Sequence, residues 1–194
     1  LGDCEACDGS TGWLVADPAL ADVGAGDLAA FCSTYAERAL VMVDEAYAEY
    51  VADFTSMDQL VRDGLPIVVV RTFSKLFGLA GLRVGYAIAP SHLAASLRRA
   101  RGGPDKVWIG VPGARAALAC VDDRAYVARI QREVGDVRTR FTTALARLGL
   151  VVPPAHASFI YFKHARPEAL AAAMAARGIE IAARSDIGGC RITI

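Results

Sequence analysis

The chain has 194 residues, 54% of them apolar and 22% charged, with Lys+Arg and Asp+Glu balanced at 21 each. That length gives one large domain or one and a half small ones, and that composition is enough to bury a core. Zero net charge excludes a basic nucleic-acid binder and an acidic tail, and the longest apolar runs, such as 65–70, are far too short to span a bilayer.

In chain order, residues 1–26 are rich in Gly, Ala and Asp, show no period and read as an irregular lead-in. Leu-Gly-Asp-Cys-Glu at the start has neither the basic nor the apolar stretch of a signal peptide. The five cysteines (Cys4, Cys7, Cys32, Cys120, Cys190) are odd in number and scattered, which fits a reducing, cytoplasmic setting. Cys4 and Cys7 lack a second ligand pair or a following helix and read as free thiols. Asp27 is expected to cap a helix to about Arg38, with Leu28, Phe31 and Tyr35 on one face. Ala39-Leu40-Val41-Met42-Val43 is a continuous apolar run, as in a strand buried on both faces of a parallel sheet. Ser56–Asp63 predicts a short helix, and Ile67–Arg71 and Val84–Ala89 two more buried strands. Pro90 opens a helix through about Arg101. Alternating strands and helices imply an α/β sheet.

Gly102-Gly103-Pro104 breaks that pattern. Helices over about 111–121 and 123–148 follow, the second long and amphipathic, as expected of a segment joining two domains. The remainder reads as a small α+β unit: strand Ser158–Lys163, helix Pro167–Arg177, and strands Ile179–Ala182 and Arg191–Ile194. No repeat or low-complexity tract is visible. His92, His156 and His164 are scattered, so no metal site is assigned, and Trp13 and Trp108 read as packing residues.

Two segments stand out chemically. Val41-Met42-Val43-Asp44-Glu45-Ala46-Tyr47 places a carboxylate at the C-terminal end of a buried strand, the edge at which open α/β sheets bind ligands. Taken alone, Asp44 also reads as a capping residue at a strand exit. Arg71-Thr72-Phe73-Ser74-Lys75-Leu76-Phe77-Gly78-Leu79-Ala80-Gly81-Leu82-Arg83-Val84-Gly85-Tyr86 leaves a second buried strand. Its hydroxyls and Arg fork suit a phosphate group. Lys75 is either a phosphate contact or a nucleophilic amine, set among Phe73, Leu76 and Phe77.

Together, VDEAYAEY and RTFSKLFGLAGLRVGY closely resemble the signature of class I/II aminotransferases, the histidinol-phosphate aminotransferase group in particular; with RITI at the end, the resemblance covers about 27–194. It implies the fold-type I architecture: residues 27–115 as part of the pyridoxal 5'-phosphate (PLP)-binding large domain, and 116–194 as a linking helix and small C-terminal domain. It implies that Lys75 forms the Schiff base with PLP and serves as general base and acid, that Asp44 pairs with the pyridinium nitrogen, and that Tyr47 donates to the cofactor's O3′. Thr72, Ser74 and Arg83 match the phosphate-binding positions. Arg191 matches the arginine that binds the substrate's acidic group, and Arg184 stands near a second such position, or is a solvated charge.

The implied reaction transfers an amino group between histidinol phosphate or an aromatic amino acid and 2-oxoglutarate, in a cytoplasmic homodimer. A PLP-dependent amino-acid-phosphate decarboxylase on the same scaffold, or an inactive remnant, would carry the same motifs. The chain is expected to be partial. The family's cofactor-phosphate loop, stacking aromatic and final helix have no counterpart, Ser10-Thr11-Gly12 would be the end of the family's Asn-Pro-x-x-Pro-Thr-Gly segment, and Ser158 stands where the family usually has Asn. Alone, such a chain is expected to bind PLP weakly or not at all.

Overall fold

The computed structural model describes residues 13–16, 24–103 and 109–194, the first of these as backbone only. Cys4, Cys7, Trp108 and the segment Ser10-Thr11-Gly12 lie outside the described residues. The first half is a sheet of order β1-β2-β3-β4: β1 (Trp13–Ala16), β2 (Leu40–Asp44), β3 (Ile67–Thr72) and β4 (Gly85–Ile88). β1, β2 and β3 are parallel; β4 runs antiparallel to β3. β1 corrects the reading of 1–26 as irregular. Four residues carry too little pattern to declare a strand, and Trp13–Ala16 gains its ladder from β2.

α1 (Ala25–Tyr35) begins before Asp27; Gly24 is its N-cap, and Asp27 sits in the first turn, where a carboxylate favours the helix dipole. Leu28 and Cys32 of α1 pack on Val41, Val43, Ile67 and Val69, forming the first core. The continuous apolar runs of β2 and β3 serve this packing. α2 (Asp58–Arg62) precedes β3, and α3 (Ser91–Ala100) starts after Pro90, whose fixed φ suits a helix entry.

α4 (Val111–Asp122) packs through Ala117 against Phe73 and Val84. α5 (Arg124–Arg147) is capped by Asp123, whose carboxylate accepts the Tyr126 N–H at 2.9 Å. Its 24 residues span about 36 Å. It leads to a three-stranded antiparallel sheet of order β5-β7-β6, with β5 (Phe159–Lys163), β6 (Ala182–Arg184) and β7 (Gly189–Thr193). α6 (Pro167–Ala175) and Leu145 of α5 cover it around Ile160, Phe162 and Cys190.

β6 lies C-terminal to the strand expected at Ile179–Ala182. Ile179 is exposed, and pairing of Ala182 with Arg191 sets the register. No helix among the described residues is long and apolar enough to cross a membrane.

Candidate active site

The site begins with the alternation of side chains along two parallel strands. Val43 pairs with Val69 and Asp44 with Val70. Val41, Val43, Ile67 and Val69 face α1, so period-two alternation puts Asp44 and Thr72 on the opposite face, at the C-terminal edge of the sheet. One Asp44 oxygen accepts the Ala46 N–H at 3.0 Å, turning the chain toward a 3₁₀ turn at Ala48–Tyr50. Tyr47 stands at the start of that turn, and the Lys75 Nζ lies 5.0 Å from the centre of its ring. Asp44 and the Lys75 segment therefore leave one sheet edge, with the amine beside the Tyr47 ring.

The Lys75 segment is a tightly closed loop. Thr72 Oγ1 accepts the Ser74 N–H at 3.0 Å, and the Gly78 and Leu79 N–H groups donate to Lys75 and Phe73 carbonyls at 3.0 Å. Gly78 makes the turn at φ +70°, where a side chain would be strained. Phe73 and Leu76 are buried, and Phe73 packs on Phe77 at 5.2 Å. Lys75 itself is exposed, so its apolar neighbours anchor the loop and do not enclose the amine. Arg83, left-handed at φ +53°, donates to the Ala80 carbonyl at 3.0 Å. No hydrogen bond among the described residues joins Arg83 to Thr72, Ser74 or Lys75; its assignment to phosphate rests on the resemblance.

The opposite wall comes from the second sheet. Tyr47 meets Phe159 edge-on, ring centres 5.5 Å apart. Beside them lies a cavity of ≈ 380 Å³ lined by Tyr47, Pro153, Phe159, Tyr161, Arg184 and Arg191, among others. The Arg191 guanidinium lies over Phe159 at 5.2 Å, and its Nε is buried with no hydrogen-bond partner. Arg184 lines the same cavity but is held by Asp186 through two bonds of 2.9 and 2.6 Å. The Arg184 hydrogen bonds draw the Asp186 carboxyl below its ordinary value. The cavity thus offers one guanidinium with unmet hydrogen-bonding capacity and one already paired.

Several residues that build this geometry escaped the sequence reading. Glu45 is fully buried and bound by Arg71, Ser56 and the Met57 N–H. Three side chains of α5 tie the two sheets together: Tyr126 Oη donates to the Leu76 carbonyl (3.1 Å), Gln131 to the Glu49 carbonyl (2.8 Å), and Arg138 to the His156 and Ala157 carbonyls (2.7 and 2.9 Å). Burial lowers the pKa of the Arg138 guanidinium, opposed by Tyr50. Burial also raises that of the Tyr50 phenol, opposed by a hydrogen bond with Ser158. The one sequence signal for these links was the long amphipathic helix; their partners are too distant in sequence to predict.

The chain is similar in sequence and fold to known proteins. The family model for aminotransferase class I and II matches residues 25–193. The chain is 36% identical over 166 residues to a histidinol-phosphate aminotransferase of Akkermansia muciniphila, covering 86% of this chain and 45% of that protein. It is 36% identical over 185 residues to an aromatic amino acid aminotransferase of Mycolicibacterium smegmatis, covering 92% and 49% respectively. Among solved structures, the histidinol-phosphate aminotransferase of Sinorhizobium meliloti, in complex with pyridoxal-5'-phosphate, superposes with a TM-score of 0.80 at 24% identity, covering 93% of this chain and 52% of that one. That likeness establishes the expected fold, an α/β sheet unit followed by a small α+β unit. The chain spans about half the length of the curated relatives it matches. On the match of nearly its whole described length, the chain belongs to the class I and II aminotransferase family.

Proposed function

We propose that the protein to which this chain belongs is a PLP-dependent aminotransferase acting on histidinol phosphate or an aromatic amino acid, with 2-oxoglutarate as the second substrate. The observation that carries this reading is the Lys75 amine over the Tyr47 ring at 5.0 Å, on the sheet edge that Asp44 and Thr72 share. The donor set fits the cofactor: an amine, a phenol, a carboxylate and two hydroxyls gather at one edge, and a buried guanidinium nitrogen without a partner lies in the adjoining cavity. Bound PLP supplies an electron sink for the carbanion formed at the substrate's Cα.

The chain's own residues divide the remaining work. Lys75 would hold the cofactor, then move a proton at the substrate's Cα as general base and acid; its exposure at a loop fixed on both sides gives it reach without wandering. Asp44, with one oxygen oriented by the Ala46 N–H, would keep the ring nitrogen protonated. Tyr47 would donate to the cofactor's O3′. Thr72, Ser74 and Arg83 would bind the phosphate, although Thr72 already accepts the Ser74 N–H. Arg191 would pair with the substrate's acidic group, its unpaired Nε gaining the acceptor it lacks. Arg184 would assist at the cavity mouth once released from Asp186.

In this reading 27–115 form part of the large cofactor-binding domain and 116–194 the linking helix and small domain, within a cytoplasmic homodimer. The test is product analysis on protein purified from its source cells, given histidinol phosphate, phenylalanine or tyrosine with 2-oxoglutarate. Glutamate together with the matching oxo product is expected. Carbon dioxide without glutamate would replace the transferase reading with a decarboxylase.

A further inference from the structure

Among the described residues, Glu45 is the one buried charged side chain, with no exposed surface. It accepts from Ser56 Oγ (3.1 and 2.9 Å), from the Met57 N–H (2.8 Å), and from Nε and Nη2 of Arg71 (2.9 and 2.8 Å), the last two on one oxygen. Stability alone is a poor explanation for this pair, because burying two charges costs about what their attraction returns, and apolar replacements of similar volume are often neutral or better.

Its position gives a better explanation. The ladder between β2 and β3 ends at Asp44 and Val70, and the Glu45 N–H to the Val70 carbonyl (2.9 Å) is the last backbone bond between the two exits. Asp44 and Tyr47 lie on either side of that bond along one strand exit, and Thr72 and Lys75 follow it along the other. Glu45 is joined directly to Asp44, and Arg71 directly to Thr72, each on the opposite face of its strand. The same guanidinium lies 3.9 Å from Glu49, so Tyr47 is flanked by two carboxylates held on one arginine.

We propose that Glu45 and Arg71 are positioning residues that extend the β2–β3 pairing past its last backbone bond and thereby fix Tyr47 and Asp44 against Lys75. The proposal rests on the reading of Lys75 given above for its functional meaning, but its geometric content can be tested without cofactor. Burial works to lower the pKa of the Arg71 guanidinium, yet the Glu45 hydrogen bonds and charge prevail and hold it above its ordinary value, as a locked pair requires.

The chain has three lysines, Lys75, Lys106 and Lys163. In a background with Lys106→Arg and Lys163→Arg, Lys75 is reductively methylated with ¹³C-formaldehyde and its methyl resonance recorded. The Tyr47 ring should displace that resonance from the free-lysine position, and Tyr47→Leu should return it there. The double variant Glu45→Leu, Arg71→Met keeps volume and removes both charges. Its thermal midpoint should fall, because the Met57 N–H and the Ser56 hydroxyl lose their acceptor, while the resonance of the folded chain moves to the free-lysine position. Without methylation, borohydride trapping of PLP on Lys75 should slow at least about tenfold, since small misplacement at a reacting group costs that much or more.

Glu45→Gln keeps the shape and the contacts to Ser56 and Met57, and should move both readouts part of the way even where the double variant does not fold. The proposal is overturned if either folded variant retains the parent's resonance and trapping rate, or if the parent shows no ring displacement. Since the chain alone is expected to hold PLP weakly or not at all, a parent with the displaced resonance but no trapping at Lys75 leaves the decision on the pair to the resonance, and the cofactor reading to trapping on the whole protein.

Discussion

The sheet edge that carries Lys75 and the cavity that carries Arg191 solve the same problem, keeping charge at a protein surface in place, in opposite ways. At the edge every buried polar group is satisfied from within: Glu45 is fully bonded, Thr72 takes the Ser74 N–H, and the loop closes on its own carbonyls. In the cavity a buried guanidinium nitrogen has no partner, an arrangement that costs about 1–3 kcal/mol if nothing fills it. The difference separates a part that the fold satisfies by itself from a part in which it leaves a donor open. The edge is a preformed frame, whereas the cavity keeps a buried donor that an anion would satisfy.

The largest expected effect is at the frame's one exposed amine. Lys75→Ala should abolish fixation of PLP to the chain, read by mass spectrometry, with the thermal midpoint unchanged. Next, Arg191→Met should weaken binding of an aromatic carboxylate such as 3-phenylpropionate by about a hundredfold, as expected for losing a buried charged partner. Calorimetry reads that loss, and thermal unfolding should show little destabilisation, since the buried Nε has no hydrogen bond to lose and only the contact with the Phe159 ring goes. A destabilised Arg191→Met would show that the cavity is as self-contained as the edge.

Smaller effects probe the tightness of the frame. A Cβ at Gly85 would lie 2.8 Å from the Arg71 carbonyl, so Gly85→Ala should cost about 1–3 kcal/mol of unfolding free energy by denaturant titration. Gly81→Ala, in open space, should cost far less. The smallest effect concerns Glu49. Burial raises its carboxyl above the ordinary 4.5, although its backbone hydrogen bond and Arg71 oppose the rise. A raised carboxyl means the folded chain binds more protons than the unfolded one just above that pH, so this group's contribution to stability falls as pH rises through the window. Glu49→Gln should therefore match or exceed the parent by less than about 1 kcal/mol at neutral pH, the difference vanishing below about pH 4.

How much was legible in the sequence follows from where each signal resides. β2 and β3 stand out as continuous apolar runs, although on β2 only the face toward α1 is buried and Leu40 and Met42 are half-buried, and α3 and α6 open at or beside a proline whose φ suits a helix start. β1 did not stand out, because Trp13–Ala16 is a strand only through its pairing with β2. β6 was placed too early because Ile179 looks like a core residue, yet the register with β7 leaves it exposed. At the site, Lys75, Asp44, Tyr47 and Arg191 were nameable through the family motif. Glu45 was not, since its meaning depends on Arg71, 26 positions away, and on Ser56. The Asp186 hold on Arg184 likewise depends on side-chain conformations that no sequence pattern encodes.

The claim on which the rest depends is that Lys75 is the amine that takes up the cofactor. It is tested most directly by incubating the whole protein to which the chain belongs, purified from its source cells, with excess PLP, fixing with borohydride and mapping the added mass by peptide sequencing. Modification concentrated on Lys75, with Lys106 and Lys163 largely free, is the predicted result. Equal labelling of all three lysines, or labelling that spares Lys75, would contradict it.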